Sequence, residues 1–260
     1  MKVRTFAVAL ALALAVFLFA QRHASAPEPP AFAHVVDLTH TVSSGSPGYE
    51  VAEKFSARTV ATIEKDGYFA REIILPEHFA THVDAPAHFT PGGWTLDQIP
   101  ADRLVRPLVV LDVSAKTQHD SDYLVGIGDV ADWENVNGHV PPGAVVMAFT
   151  GWDKHWNSAT EYRNLDAKGV RHFPGYSLEA ARFLVEGRGV VGLGIDTLSI
   201  DPGPSSDFPV HHYTLSHSVY HVENVANLSQ VPASGSLVVV APAKLEGASG
   251  GPARVLALAR

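Results

Sequence analysis

Cysteine is absent from the 260 residues. That excludes disulfides and thiolate metal sites, leaving histidine and carboxylate as the strong ligands at hand. Positive charge is scarce: 19 Lys and Arg stand against 27 Asp and Glu, a formal net charge of −8, with no basic run. Such a chain is a poor partner for nucleic acid or an anionic membrane surface. Beyond residues 5–20 no stretch is apolar enough to span a bilayer, which takes roughly 18–20 residues. The Gly/Ser loops Ser43-Ser44-Gly45 and Gly247-Ala248-Ser249-Gly250-Gly251 lack phosphate-loop spacing, so no nucleotide site is expected. No internal repeat, low-complexity tract or internal linker calls for a second domain.

What is present begins with Met1-Lys2-Val3-Arg4, an apolar stretch and Ala24-Ser25-Ala26. These are the basic start, apolar core and A-x-A site of a secretory signal. Residues 1–26 are expected to be a signal peptide and 27–260 a single mature domain, periplasmic or secreted, clear of the membrane after cleavage. Removing Lys2, Arg4 and Arg22 with that segment moves the formal charge from −8 to −11. Short apolar runs at 108–113 (LVVLDV), 144–149 (AVVMAF), 190–195 and 237–240 read as buried strands, and 255–258 as a closing one. Residues 34–40 read as a first strand, and 56–62 with 71–75 as a hairpin about Asp66-Gly67. Residues 177–185 have helical spacing, with Ser177 as a cap and Gly187 and Gly189 as the stop. Strands interleaved with helix give an α/β domain with a largely buried sheet.

The densest chemistry lies in His78-Phe79-Ala80-Thr81-His82-Val83-Asp84-Ala85-Pro86-Ala87-His88. Three imidazoles and a carboxylate form a ligand set suited to zinc or manganese-type ions. His78 and His82 share one side of a helix-like turn, and His82 and Asp84 share a face where the chain is extended. Pro86 rules out a continuous helix. The expected shape is a tight loop after residues 72–75, its polar side chains converging. Closure must come from elsewhere, and His211, His212, His217 and His221 lie together with Glu223. Spacing alone does not choose among them.

HFATHVDAPAHF resembles the H-x-G-T-H-x-D-A-P-x-H signature of the metal-dependent cyclase family, which includes bacterial kynurenine formamidase and isatin hydrolase. The likeness continues in order through VVDLTHTV, PPGAVVMAFTGWD, GLGIDTLSIDPG, FPVHHYTLSHSVYHVENVANL and PAKLEGASGGPARVLAL. The resemblance implies a mixed, barrel-like central sheet of the swivelling β/β/α type, in a homodimer or higher oligomer. It implies His78, His82 and Asp84 as ligands of one or two divalent ions per subunit, zinc or manganese, with Asp84 able to bridge. His211 and Glu223 are the implied later ligands, with His212 the substitute if the register shifts by one. His88 is the implied second-sphere or catalytic histidine. Two departures stand out. Ala80 occupies the signature's glycine position, so the backbone there is expected to avoid conformations that only glycine tolerates. The export signal does not suit kynurenine breakdown, which is cytoplasmic.

An ion held by imidazoles and carboxylates with one position open lowers the pKa of bound water toward about 7 and polarises a carbonyl. His88 is suited to moving a proton to the leaving atom. The expected activity is hydrolysis of a C–N bond in a small-molecule amide, formamide or cyclic amide, with an ester or lactone as the nearest variant. A cyclase or lyase that uses the ion to stabilise an enolate, and an exported metal-binding protein without chemistry, are the rival readings. Trp152 reads equally as an aromatic substrate wall and as a core residue. For Asp196 and Asp201, after a buried strand, capping and turn formation are favoured over catalysis.

Overall fold

A computed structural model describes residues 32–259; the expected signal peptide lies outside them. Twelve strands follow one another among the described residues: β1 His34–Asp37, β2 Ser56–Ala61, β3 Ala70–Ile74, β4 His82–Asp84, β5 Val105–Asp112, β6 Leu124–Val125, β7 Val145–Phe149, β8 Gly175–Tyr176, β9 Gly192–Ile195, β10 Tyr220–Glu223, β11 Ser236–Pro242 and β12 Gly250–Ala259. Three helices matter below: α1 Ile127–Asn137, α2 Leu178–Arg182 and α3 Pro209–Ser216. Among the described residues no helix is long and apolar enough to cross a membrane.

The order β12-β11-β5-β7-β9-β10-β4 returns to β12, so seven strands close a mixed barrel, with β1 added on the far half of β12. β5, β7, β9 and β10 run parallel; the remaining pairings are antiparallel. Alternation along β5 explains why its run is apolar throughout. Leu108 and Val110 pack with Val145, Met147, Val222, Val238 and Val255 on one face. Val109 and Leu111 pack on the other with Val130 and Trp133 of α1, Ala181 of α2 and Val210 of α3. Each of the valine, leucine and methionine side chains, almost fully buried, contributes about 1.5–3 kcal/mol relative to leaving it in water. The α/β, barrel-like expectation is met.

The helix at 178 starts as its sequence indicates, with Ser177 Oγ accepting from the N–H of Ala180 at 3.1 Å. Gly189 then turns the chain with φ +63°, a left-handed conformation that glycine adopts without cost. The β2–β3 hairpin stands outside the barrel, and Val60, Ile63, Tyr68, Phe69, Ile73 and Ile74 around it are each more than half exposed. One expectation needs correcting. The 78–88 stretch is no simple loop: residues 82–84 form β4, and only Pro86–His88 makes a single 3-10 turn. Helices α1 and α3 and strand β10 were not anticipated.

Candidate metal centre

β4 and β10 pair so that His82 lies opposite Glu223 and Asp84 opposite His221. Because side chains alternate along a strand and opposed residues are near neighbours, these four groups share one patch of one face. α3 adds His211. The Asp201 carboxylate accepts from the N–H groups of Val210 (2.9 Å) and His211 (3.0 Å), and from His211 Nδ1 at 2.6 Å. That last bond turns Nε2 toward the carboxylates, 3.4 Å from Asp84 Oδ2 and 3.3 Å from Glu223 Oε1. His78 reaches in from the preceding segment, with Nδ1 2.6 Å from Asp84 Oδ1 and Nε2 2.9 Å from Ser249 Oγ. Gly250 makes room for it, since a Cβ there would stand 2.4 Å from His78 Cε1.

Two overlapping groups result, His78–His82–Asp84 and Asp84–His211–His221–Glu223, each with ligand atoms within 4.8 Å of one another. Asp84 belongs to both. The structure thus brings together the five ligands that the resemblance implies and, of the other histidines named beside Glu223, adds His221, whose Nδ1 lies 3.4 Å from Asp84 Oδ2. His212 is exposed, with its ring 4.9 Å from Phe89 and outside the cluster. His88 stacks on His78, ring centroids 3.8 Å apart, and lines the cleft above. Burial lowers its pKa to about 4.

The charge state of the cluster asks for a cation. Asp84 and Glu223 are 1% and 4% exposed among imidazoles. Burial opposes protonation of His82, yet the charges of Asp84 and Glu223 outweigh it and raise the ring to about 9. His211 is likewise driven up, against burial, by Asp201, Asp84 and Glu223. Asp84 is held well below the ordinary carboxylate range: burial works against this, but His82, His211, His221 and His78 prevail. His82 Nδ1 is fixed 2.8 Å from the Ala80 carbonyl. Its Nε2, buried and 3.1 Å from Asp84 Oδ1 but off hydrogen-bond geometry, has no partner. An orphaned imidazole nitrogen facing two carboxylates fits a divalent ion, whose charge answers both.

Ala80, on the signature's glycine position, does not avoid the left-handed region: its φ is +58°. An alanine tolerates this at about 1–2 kcal/mol. Its carbonyl there serves both His82 and the side-chain amide of Asn224, 2.9 Å away. Trp152 does not line the cleft. It is buried with Phe79, Tyr162 and Phe173, and its Nε1 donates to the Tyr162 carbonyl at 2.9 Å, so the core reading replaces the substrate-wall one. Asp196 caps the turn after β7, accepting from the N–H groups of Thr150 and Trp152. Burial raises its pKa to about 7.

The cleft over the cluster measures about 280 Å³, and Tyr49, Phe89, Leu198 and Phe208 form its apolar walls. A volume at the low end of small-molecule sites suits a small, flat ligand. A closed α/β barrel with a buried imidazole–carboxylate cluster open to such a cleft defines a metalloenzyme. The chain belongs to the Cyclase family, whose model matches residues 36–202; His78, His82, Asp84 and His88 lie inside that span. It is 31% identical to the isatin hydrolase of Roseibium aggregatum over 242 residues, 86% of this chain and 91% of that one. The kynurenine formamidase of Paracidovorax citrulli is 25% identical, covering 85% and 94%. Among solved structures, isatin hydrolase A from Ralstonia solanacearum superimposes with a TM-score of 0.82 at 32% identity, over 87% of this chain and 92% of that chain.

Proposed function

We propose that this chain hydrolyses a C–N bond of a small aryl amide, formamide or cyclic amide such as isatin, using one or two zinc or manganese ions held by His78, His82, Asp84, His211 and Glu223. The observation that carries the reading is the partnerless Nε2 of His82, facing Asp84 and Glu223 at the floor of an aromatic cleft. The kinship with amide-cleaving hydrolases, 31% identical over most of both chains, agrees with it. A bound divalent ion supplies a polarised carbonyl and a water ionisable near neutral pH.

The chain's own groups supply the rest. Asp201 and the Ala80 carbonyl fix the tautomers of His211 and His82, so that each presents Nε2 inward. Phe89 and Phe208, ring centroids 5.7 Å apart, form a wall that a planar substrate can stack on. His88, stacked on His78 in the cleft and neutral near pH 7, is placed to take a proton from the attacking water and pass it to the leaving nitrogen. The signal-like leader supports export to the periplasm or beyond. The exposed apolar hairpin supports a homodimer, because a two-stranded ribbon is marginal on its own.

Elemental analysis of the purified protein, then assay against formamides, cyclic amides, esters and lactones, tests the reading. Wild type retains a divalent ion and cleaves an amide; Asp84→Ala loses both. A metal-free wild type that reconstitution does not load, or an Asp84→Ala variant with full turnover, overturns it.

A further inference from the structure

One wall of the cleft is the segment 47–53, which carries no ligand candidate. It is firmly held. Gly48 bridges Phe79 in antiparallel fashion. The Gly48 carbonyl accepts from Arg163 Nε at 2.8 Å, and the Tyr49 carbonyl from Arg171 Nη2 at 2.9 Å. A Cβ on Gly48 would stand 2.7 Å from Glu53 Cβ and 3.1 Å from Phe79, so the segment is packed to contact. Held in this way, it presents Tyr49 and Glu53 to the cleft.

The Tyr49 ring is covered by the Arg171 guanidinium, 3.9 Å from its centroid, and lies 6.3 Å from Phe208. Its hydroxyl makes no hydrogen bond among the described residues. Burial raises the phenol above its ordinary pKa against the field of Arg171, so the hydroxyl stays protonated and able to donate. Glu53 fixes one oxygen on the Glu50 N–H at 3.0 Å. Among the described residues no lysine or arginine lines the cleft; its charged lining groups outside the histidines are Glu53, Asp84 and Glu223. Arg163 Nε and Arg171 Nη2 give their hydrogen bonds to backbone carbonyls and to Glu50.

We infer that Tyr49 and Glu53 are the specificity-determining residues: the Tyr49 hydroxyl donates to an acceptor on the substrate, and Glu53 turns away molecules bearing a free carboxylate. The inference rests on the hydrolase reading and narrows its substrate to uncharged aryl amides.

The test uses the metal-loaded mature chain and a matched pair, formanilide and 4-formamidobenzoate, which differ by one carboxylate at the far end of the ring. Calorimetric binding of the acetyl counterparts, acetanilide and 4-acetamidobenzoate, runs alongside. The neutral member is favoured about tenfold or more in both measurements, the scale of one hydrogen bond or one unpaired charge. Glu53→Gln improves the carboxylate member alone and closes the gap to within about threefold. Tyr49→Phe raises KM about tenfold with kcat within about threefold, as for lost binding rather than lost chemistry. Glu53→Gln is isosteric and Tyr49→Phe removes a single oxygen, so both keep wild-type metal content and melting temperature. Equal treatment of the pair by wild type, a Glu53→Gln variant that shifts both members alike, or a Tyr49→Phe variant identical to wild type overturns the inference. Selective binding without turnover of any amide overturns the hydrolase reading and leaves the inference standing; turnover without discrimination does the reverse.

Discussion

Replacing Asp201 with asparagine separates packing from metal chemistry. The residue is fully buried, and its two oxygens accept three N–H groups, Val210 N on Oδ1 and His211 N and Nδ1 on Oδ2. Asparagine keeps the shape but offers one acceptor oxygen and an NH2 that only donates. With the amide oxygen toward His211, the Val210 N–H faces an NH2; the opposite flip orphans two donors. The better flip costs about 1–3 kcal/mol for one buried unsatisfied donor. For a domain of this size that is a fall of about 2–12 °C in melting temperature. The charge is lost in either flip, and with it the pull that holds His211 as the Nδ1–H tautomer with Nε2 toward Asp84 and Glu223. Affinity for the ion should therefore fall about 10–100-fold, the usual effect of losing a carboxylate behind a ligating imidazole. Melting in the presence of chelator reads the first effect, and competition against a metal indicator reads the second. A variant that melts lower yet binds zinc or manganese within twofold of wild type refutes the orienting role assigned to Asp201.

Gly250→Ala places a methyl 2.7 Å from the Val83 carbonyl oxygen and 2.4 Å from His78 Cε1. It should cost about 1–3 kcal/mol by overpacking and weaken metal binding, read by urea unfolding and metal titration; wild-type behaviour in both rejects the contact. Glu134 makes a two-pronged pair with Arg188, at 2.6 and 2.8 Å, and accepts from Val140 N–H. Chiefly the Arg188 bonds hold its carboxyl near 2 against an ordinary 4.5. A carboxylate depressed in the native state stabilises fully above its unfolded value and loses that effect as pH falls through the folded one. Glu134→Gln should therefore be less stable by about 1.5–3 kcal/mol at pH 7, with the gap closing between pH 4.5 and 2; a gap independent of pH in urea unfolding refutes this. Ala80→Val forces a branched side chain to φ +58° and should cost more than about 2 kcal/mol. Ala80→Gly should stay within about 1 kcal/mol of wild type, as relief of backbone strain offsets a lost buried methyl; the reverse order in thermal melting rejects the strain argument.

The two-residue spacing of His82 and Asp84 already says that they share a face if extended, and β4 realises it. The partner of that face is not local information, because register is set by packing across the sheet. No count along the chain places Glu223 opposite His82. A usable signal was present in Tyr220-His221-Val222-Glu223, where period-two alternation ties His221 to Glu223, and His221 is indeed 0% exposed beside Asp84. Asp201 precedes His211 by ten residues of turn and helix start, a separation with no period, so only the folded loop shows that it grips the ring. Helix α1 hid because its buried stripe is thin, Val130 and Trp133, while Val136 is 84% exposed. Trp152 illustrates the limit from the other side: an aromatic residue type states that area is buried, never against what.

β4 is only three residues long, yet it is paired on both edges, with β10 through residues 221–223 and with β12 through residues 250–252. A strand so short has little register preference of its own, and a slip by one would turn His82 and Asp84 to the opposite face. Closure of the barrel removes that freedom, since β4 must satisfy two neighbours at once. The same double pairing sets Gly250 beside Asp84, and the missing side chain is the space that His78 occupies. Burying two carboxylates together with the imidazoles that they keep protonated carries a large desolvation cost, so the cluster is a burden on the apoprotein that the surrounding apolar layers must outweigh. Barrel closure and metal geometry are therefore one constraint: whatever loosens β12 from β4 removes one of the two pairings that hold His82 and Asp84 in register, and with it the Gly250 space that His78 occupies.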